Sequence, residues 1–131
     1  MEAGPRVRSN PGTLSQRRGR DGEDAAARYL TGLGYVILER NFKTRFGEID
    51  IVARDGVAIV YVEVKRRESP DHGSAAEYVS PQKMRRVVGA ARIYAAKQGL
   101  SESPTRFDVI AIDVTAGNEQ LRHHRDAFDA R

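Results

Sequence analysis

Glu48, Asp50, Glu63 and Lys65 are the residues whose types and spacing best suit catalysis. They form two pairs, each spaced by two residues within an apolar run, and side chains two apart leave the same face of a strand. Magnesium or manganese takes oxygen ligands from one or two carboxylates and keeps waters for a phosphate-bearing substrate. An ammonium group beside the metal steadies a phosphate oxygen or positions the attacking water. The pattern is therefore typical of metal-assisted chemistry on phosphates.

A hairpin between the two runs would bring the acids together. Asp55-Gly56 is a hairpin-turn signal, and with both residues in the loop Arg54 pairs with Val57. In this register Glu48 lies directly opposite Glu63. One face of the hairpin is then uniformly apolar and is expected to lie on the core. That face carries Ile49, Ile51 and Ala53 opposite Ala58, Val60, Val62 and Val64.

The other face carries the acids and needs a compensating charge. Asp50 lies diagonal to Glu63, and like charges in such positions destabilise a sheet by roughly 0.2 to 1 kcal/mol each. A divalent cation would offset this repulsion. The alternative is a solvated face on which Lys65 and Arg54 neutralise the acids and Glu48 points into water.

The elements that must position these residues follow the order α-β-β-β-α-β. Apolar residues at helical spacing predict a first helix over 19–33. Ser80-Pro81 begins a second helix, with a hydroxyl N-cap and a proline in the first turn, that ends near Gly99. Residues 67–79 are expected to form a loop. Runs rich in β-branched residues predict strands over 35–42, 48–53, 57–66 and 107–114. This order predicts an α/β domain with a central mixed sheet flanked by helices.

Length and charge indicate one domain with a basic arm. The chain has 131 residues, of which 40% are hydrophobic. Residues 1–18 carry too little apolar surface to offset the entropy of ordering, so we expect a disordered arm, a domain over 19–115 and a tail over 116–131 that packs back through Phe128. The formal charge of +4 resides in the first 20 residues, which leaves 17 basic and 17 acidic residues beyond them. Nucleic-acid binding must therefore depend on local clusters.

The composition also excludes several classes of site. The absence of cysteine excludes disulfides, thiolate zinc sites and cysteine nucleophiles, and no apolar run approaches the roughly 18 residues of a membrane-spanning helix. Charged residues follow Arg17-Arg18, so this pair is not an export signal and we expect a cytoplasmic protein. His123 and His124 have no third ligand nearby in sequence, which favours exposed side chains. Asp108 is expected either to assist the site or to hydrogen-bond nearby backbone.

Local basic clusters are candidates for contact with a DNA backbone, where phosphate contacts supply most of the affinity. One cluster occupies the first turns of the second helix, where backbone N–H groups and the helix dipole favour a phosphate. A second cluster directly follows Lys65, and a third lies shortly before Glu48. The alternative is that these are ordinary exposed faces. The candidates are Gln82, Lys83, Arg85, Arg86, Arg66, Arg67, Lys43 and Arg45.

The order of these motifs resembles the PD-(D/E)XK nuclease superfamily, which has a restriction-endonuclease-like core and includes archaeal Holliday junction resolvases. The resemblance lies in Glu23 of the first helix, Asp50 of the second strand and Glu63-Val64-Lys65 of the third. Ile49 stands where the superfamily name has proline. The chain is most similar to the YraN family of bacterial proteins over roughly residues 19–129. The shared motifs are Gly22-Glu23, Tyr29-Leu30, Gly34-Tyr35, Arg40-Asn41-Phe42, Gly47 to Asp50, Val62 to Lys65, Arg106 to Val109 and Asp126-Ala127-Phe128.

The resemblance implies metal-dependent hydrolysis of DNA phosphodiester bonds with Mg²⁺ or Mn²⁺. Asp50 and Glu63 correspond to metal ligands, Lys65 to the catalytic lysine and Glu23 to an acid that assists the metal, while Glu48 is an additional candidate ligand. Branched or structured DNA is the expected substrate, and a homodimer would match the two-fold symmetry of a four-way junction. Two alternatives remain open. One is a non-catalytic DNA-binding or adaptor protein that keeps the nuclease fold, and the other is an interaction module whose acidic patch is only a surface.

Overall fold

The computed structural model describes residues 14–68 and 79–130. The first 13 residues of the predicted arm, and residues 69–78 of the predicted loop, lie outside this part of the chain. No helix within the described ranges is long and apolar enough to cross a membrane. The elements are α1 (Leu14–Gly32), β1 (Val36–Lys43), β2 (Glu48–Asp55), β3 (Ala58–Glu68), α2 (Pro81–Gln98), β4 (Thr105–Thr115) and β5 (Asn118–Phe128).

The described strands form one mixed sheet in the order β1-β2-β3-β4-β5. Neighbours pair antiparallel except β3 and β4, which are parallel. Parallel neighbours need a crossover connection, and α2 lies between them in the chain. The predicted fold class, an α/β domain with a central mixed sheet flanked by helices, is confirmed. The architecture is consistent with a restriction-endonuclease-like core.

The ends of α2 follow from local sequence. Ser80 is the N-cap with extended backbone (φ −70°, ψ 158°), and its Oγ accepts a hydrogen bond from the Lys83 N–H at 3.1 Å. Pro81 begins the helix, where a missing N–H costs nothing. Gly99 ends it at φ 69°, with its N–H bonded to the Ala95 carbonyl oxygen. The predicted helix bounds are therefore confirmed, and the cap fixes where the first turn meets the sheet.

Helices cover both faces of the sheet. Under α1, Ile51 and Val62 are fully buried with Leu30. Under α2, Tyr61 and Ile59 are buried against Tyr94. Each face is therefore a core, and the acids lie where that apolar cover ends.

The predicted hairpin register is wrong by two residues. Asp55 pairs with Ala58 and Arg54 with Ile59, so Gly56 and Val57 form the loop. Gly56 has a φ of 62° and takes the first loop position, while Asp55 stays in the strand, where its carboxylate accepts a hydrogen bond from a β4 arginine. A shift of two keeps every side chain on its predicted face.

Ile49 is the exception to that face assignment. It packs with the α2 cluster, whereas Ile51 and Ala53 pack under α1. Ile49 lies beyond the last β2–β3 backbone pair, Ile51 with Val62. In the turn just before it, Gly47 approaches α2 so closely that a Cβ there would lie 2.9 Å from the Cβ of Arg86.

Both ends of the domain differ from the sequence prediction. α1 begins at Leu14, so residues 14–18 are helical rather than part of a disordered arm, because leucine, glutamine and arginine are good helix formers. Residues 118–128 form the edge strand β5 rather than an irregular tail. The turn Ala116-Gly117, with φ of 51° and 82°, is a two-residue hairpin loop that returns the chain along β4. Within β5, the Phe128 ring stacks on that of Phe107 at 5.1 Å between centroids.

Candidate metal centre and nucleic-acid interface

Asp50 of β2 and Glu63 of β3 form a buried acid pair. Each residue is only 8% exposed. The last backbone pair between the two strands is Ile51 with Val62, and just beyond it an Asp50 Oδ2 accepts a hydrogen bond from the Val64 N–H at 2.8 Å. The Asp50 carboxylate thus accepts a β3 hydrogen bond where backbone pairing between the two strands has ended, and this bond holds the carboxylate in a fixed orientation towards β3.

Burial makes this pair electrostatically costly. It raises the pKa of Asp50, an effect that the Val64 N–H and the Lys83 charge only partly oppose. Burial, together with the charge on Asp50, raises the pKa of Glu63 to about 8. The two carboxyls hydrogen-bond each other, so near neutral pH they share one proton. A pair that cannot ionise fully by itself is a place where a cation would be stabilised.

Lys83 of α2 supplies the cation that the pair already contacts. Its Nζ lies 3.5 Å from Glu63 Oε2. The Ser80 cap places Lys83 in the first turn, on the side that faces β3. Lys83 was predicted as a DNA contact, and the structure brings it to the carboxylates instead.

Glu23 and Glu48 lie within the field of the pair. Burial, followed by the charge on Asp50, raises the pKa of Glu23, and Glu48 adds to the effect. An Asn41 hydrogen bond and the Arg40 charge oppose this rise, with an Arg40 guanidinium nitrogen 3.6 Å from Glu23 Oε1. The α1 acid and the β2 acids therefore form one electrostatic cluster, as the resemblance to the nuclease superfamily implied.

The donors of this cluster fit a hard divalent cation. Among the described residues, Glu23 Oε1 and Glu63 Oε1 are buried oxygens without a hydrogen-bond partner. Within the same residues, no three histidine, aspartate or glutamate side chains converge closely enough to hold a metal ion by themselves. Asp50 and Glu63 therefore offer a two-carboxylate set, which suits magnesium because that ion keeps several waters and substrate oxygens.

Lys65 follows Glu63 by two residues and leaves the same side of β3. It is exposed, whereas Glu63 is buried. Lys65 thus lies on the solvent side of the acid pair.

The predicted DNA-contact residues separate into two groups. Lys43, Arg45, Gln82, Arg85 and Arg86 are exposed on β1, the β1–β2 turn and α2. Arg66 is turned away, because its guanidinium contacts Glu68 at 3.0 Å and Glu119 at 3.4 Å. Arg67 is half-buried on the next position of β3. We therefore use the name basic path for the exposed cations of β1, the β1–β2 turn and α2, which are Lys43, Arg45, Arg85 and Arg86.

Asp108 is the centre of a second polar network, of which the sequence predicted only the possible hydrogen bond between Asp108 and nearby backbone. This fully buried carboxylate accepts hydrogen bonds from Arg106 Nε at 2.9 Å, His123 Nε2 at 2.7 Å and the Asp126 N–H at 3.0 Å. Tyr29 Oη lies 3.2 Å from His123 Nδ1. The expectation of an exposed His123 is wrong because β5 brings it over β4. The network joins α1, β4 and β5 and serves the fold rather than the acid pair.

Comparison with known proteins identifies the family. The sequence profile of uncharacterised protein family UPF0102 matches residues 22–112. A UPF0102 protein of Persephonella marina is 42% identical over 112 residues, which cover 86% of this chain and 93% of that protein. Another, from Anaeromyxobacter dehalogenans, is 46% identical over 114 residues, or 87% of this chain and 85% of that protein. A third, from Geotalea uraniireducens, is 41% identical over 124 residues, or 94% and 98%. The chain therefore belongs to the uncharacterised protein family UPF0102, as its resemblance to the YraN proteins predicted.

Proposed function

We propose that this protein is a magnesium- or manganese-dependent nuclease that hydrolyses DNA phosphodiester bonds at Asp50 and Glu63. The observation that supports this most directly is the forced proximity of two buried carboxylates, which raises the pKa of Glu63 to about 8. A fold that needed only stability would be served as well by uncharged residues there, since a buried ionic pair is weak evidence for stability. Buried acids with strongly raised pKa values cluster at functional sites.

Each residue of the cluster has a distinct task in this proposal. Asp50 and Glu63 hold the metal, and the Val64 N–H fixes the Asp50 carboxylate towards that position. Glu48, which the sequence offered as an additional ligand, adds negative charge near Asp50 without completing a three-ligand set. When bound, the metal polarises a phosphoryl oxygen and lowers the pKa of bound water. The Lys65 ammonium contacts a phosphate oxygen or positions the attacking water. Glu23 adds negative charge from α1, which favours cation binding.

The basic path defines how DNA would approach. Lys43, Arg45, Arg85 and Arg86 are exposed on β1, on the turn that leads into β2 and on α2, and their charges would offset repulsion between the acids and the phosphates. By its resemblance to resolvases, the protein would act on branched or structured DNA in the cytoplasm, as a homodimer.

Cleavage of a labelled DNA panel tests this function. Linear, flapped and four-way-junction substrates are incubated with magnesium or manganese and with wild type, Asp50→Asn, Glu63→Gln or the control Glu102→Gln, which removes an exposed acid from the loop after α2. We expect metal-dependent cutting by wild type and the control, and a loss of at least 100-fold (on the order of 10²) in both site variants. Undiminished cutting by the site variants would exclude this pair as the active site.

A non-catalytic DNA-binding or adaptor protein is the second candidate. Two observations favour it: Lys83 already compensates Glu63 at 3.5 Å, and the described residues hold no three-ligand metal set. This candidate predicts tight DNA binding that survives Asp50→Ala and no cutting of any substrate with either metal. Binding and cutting measured on the same protein samples therefore separate the two functions.

A further inference from the structure

Phe46 is a large apolar side chain that the fold leaves in solvent beside the acid cluster. It lies in the turn between β1 and β2 and is 49% exposed. The Arg45 guanidinium lies over its ring at 5.1 Å from the centroid. Exposed aromatic rings among cations are the surfaces on which proteins stack nucleic-acid bases.

The turn holds Phe46 rigidly. Thr44 Oγ1 accepts hydrogen bonds from the Phe46 N–H at 3.0 Å and the Gly47 N–H at 3.2 Å, and donates one to the Gly47 carbonyl oxygen at 2.9 Å. The base of the side chain rests on α2 at Gly89, where a Cβ would lie 3.4 Å from the Cβ of Phe46. A glycine inside a helix lowers stability by roughly 0.5–1 kcal/mol relative to alanine, and here the missing side chain leaves room for Phe46 to pack on the helix. The ring is thus presented to solvent in a fixed position.

The contact of Phe46 with Gly89 also relates the position of the ring to that of the acids. Lys83, Arg86 and Gly89 follow one another at three-residue intervals on α2, and they contact Glu63, Gly47 and Phe46 respectively. Six residues of helix rise about 9 Å. Since stacked nucleotides rise about 3.4 Å each along a strand, the spacing of these two contacts along α2 corresponds to roughly two or three nucleotides.

We propose that Phe46 is a stacking platform for an unpaired base of single-stranded DNA, two or three nucleotides from the phosphate held at Asp50 and Glu63. The proposal rests on the nuclease function proposed above and deepens it by naming the substrate feature, a single-stranded segment or splayed junction arm. Arg45 and Arg86 bind the flanking phosphates, and Phe46 reads the presence of a base without regard to its identity. Its occupant is nucleic acid rather than protein because the surrounding exposed side chains are cationic.

The sequence contains no tryptophan, so a single introduced indole reports on this position alone. Phe46→Trp is titrated with a short oligo(dT) and with an abasic oligonucleotide of the same length, using calcium to occupy the metal site. Val57→Trp, at the 79% exposed tip of the β2–β3 hairpin, is the matched control. We expect oligo(dT) to quench the Phe46→Trp fluorescence, whereas the abasic strand does not and Val57→Trp responds to neither. Equal responses of Phe46→Trp to both strands would overturn the proposal.

Affinity measurements complete the test. Phe46→Leu keeps an apolar side chain on Gly89 but removes the aromatic face. Stacking on one base corresponds to roughly 5- to 150-fold in affinity, so this variant should lose that much for oligo(dT) and nothing for the abasic strand. If wild type binds both strands and Phe46→Leu weakens both or neither, the stacking role is wrong while the DNA-binding function stands. If wild type binds neither strand, both proposals fail.

Discussion

The pH dependence of stability without divalent metal tests the acid pair directly. Burial and the charge on Asp50 raise the pKa of Glu63 from 4.5 to about 8, so the folded protein keeps a proton that the unfolded chain has already lost. The stability associated with that proton is fully present below pH 4.5 and is lost as the pH rises towards the folded pKa. Each pKa unit corresponds to about 1.4 kcal/mol, so the free energy of unfolding should fall by roughly 2 to 3 kcal/mol between about pH 6 and about pH 8.5.

Thermal unfolding in a chelating buffer measures this fall. At about 2.1 cal/mol/K of unfolding entropy per residue, it amounts to roughly 7 to 11 °C in Tm for a chain of this length. Glu63→Gln should escape the fall because an amide does not titrate. The control Glu102→Gln changes the net charge equally at an exposed position and should behave as wild type. Apart from Asp50, which interacts with Glu63, the other titrating groups keep their surroundings in all three proteins and cancel in the comparison. An equal fall in all three would refute the raised pKa and the reasoning built on it.

Magnesium should reverse the effect in wild type. A cation replaces the shared proton, so the metal-bound protein should lose little stability as the pH rises. Metal at about 100 times its Kd would stabilise wild type by about 2.7 kcal/mol. Glu63→Gln offers one ligand fewer and should gain much less. A Tm of wild type that does not respond to magnesium at pH 8.5 or so would contradict a metal site at this pair.

Two further substitutions, each with a matched control, test the close turn beside the site and the buried polar network of the fold. Gly47→Ala should lower the free energy of unfolding by about 1–3 kcal/mol, because its Cβ would lie 2.9 Å from that of Arg86. The control Gly32→Ala meets nothing within 4 Å and should be neutral. Denaturant unfolding that gives equal values for both variants would count against the close turn. Asp108→Asn should cost about 3–5 kcal/mol, since it breaks a buried charged network, whereas the exposed Asp24→Asn should cost at most about 1 kcal/mol. Burial opposes a low pKa for Asp108, but its hydrogen bonds lower the pKa below its ordinary value. The free energy of unfolding of wild type should therefore exceed that of Asp108→Asn at any pH above the ordinary pKa. This difference should vanish as the pH falls through the pKa of the folded protein. A pH-independent difference between these two proteins would show that the carboxylate charge is not what stabilises the network.

Local signals predicted much of this molecule. The Ser80-Pro81 cap and Gly99 set both ends of α2, because capping depends on neighbouring residues only. Strand alternation placed Glu63 and Lys65 on one side of β3, because its period is independent of register. The motifs also sufficed to indicate the family, since several of them occur in order along most of the chain.

Features that depend on contacts between distant elements were not predictable in the same way. The contact between Lys83 and Glu63 needs α2 to lie along β3, which no local pattern of the sequence specifies. The hairpin register depended on whether Asp55 stays in its strand, and that depends on a hydrogen bond from Arg106 of β4. The hairpin turn at Ala116-Gly117, which leads into β5, was not recognised in the sequence because alanine seldom takes a positive φ.

The most direct test of the central claim is an anomalous-diffraction map of crystals grown with manganese. The account predicts a single strong peak between the carboxylates of Asp50 and Glu63, with the Lys83 Nζ withdrawn from its present 3.5 Å separation from Glu63 Oε2. An intact contact between Lys83 and Glu63, with no peak beside it at a manganese concentration that saturates the effect on Tm, would contradict the account.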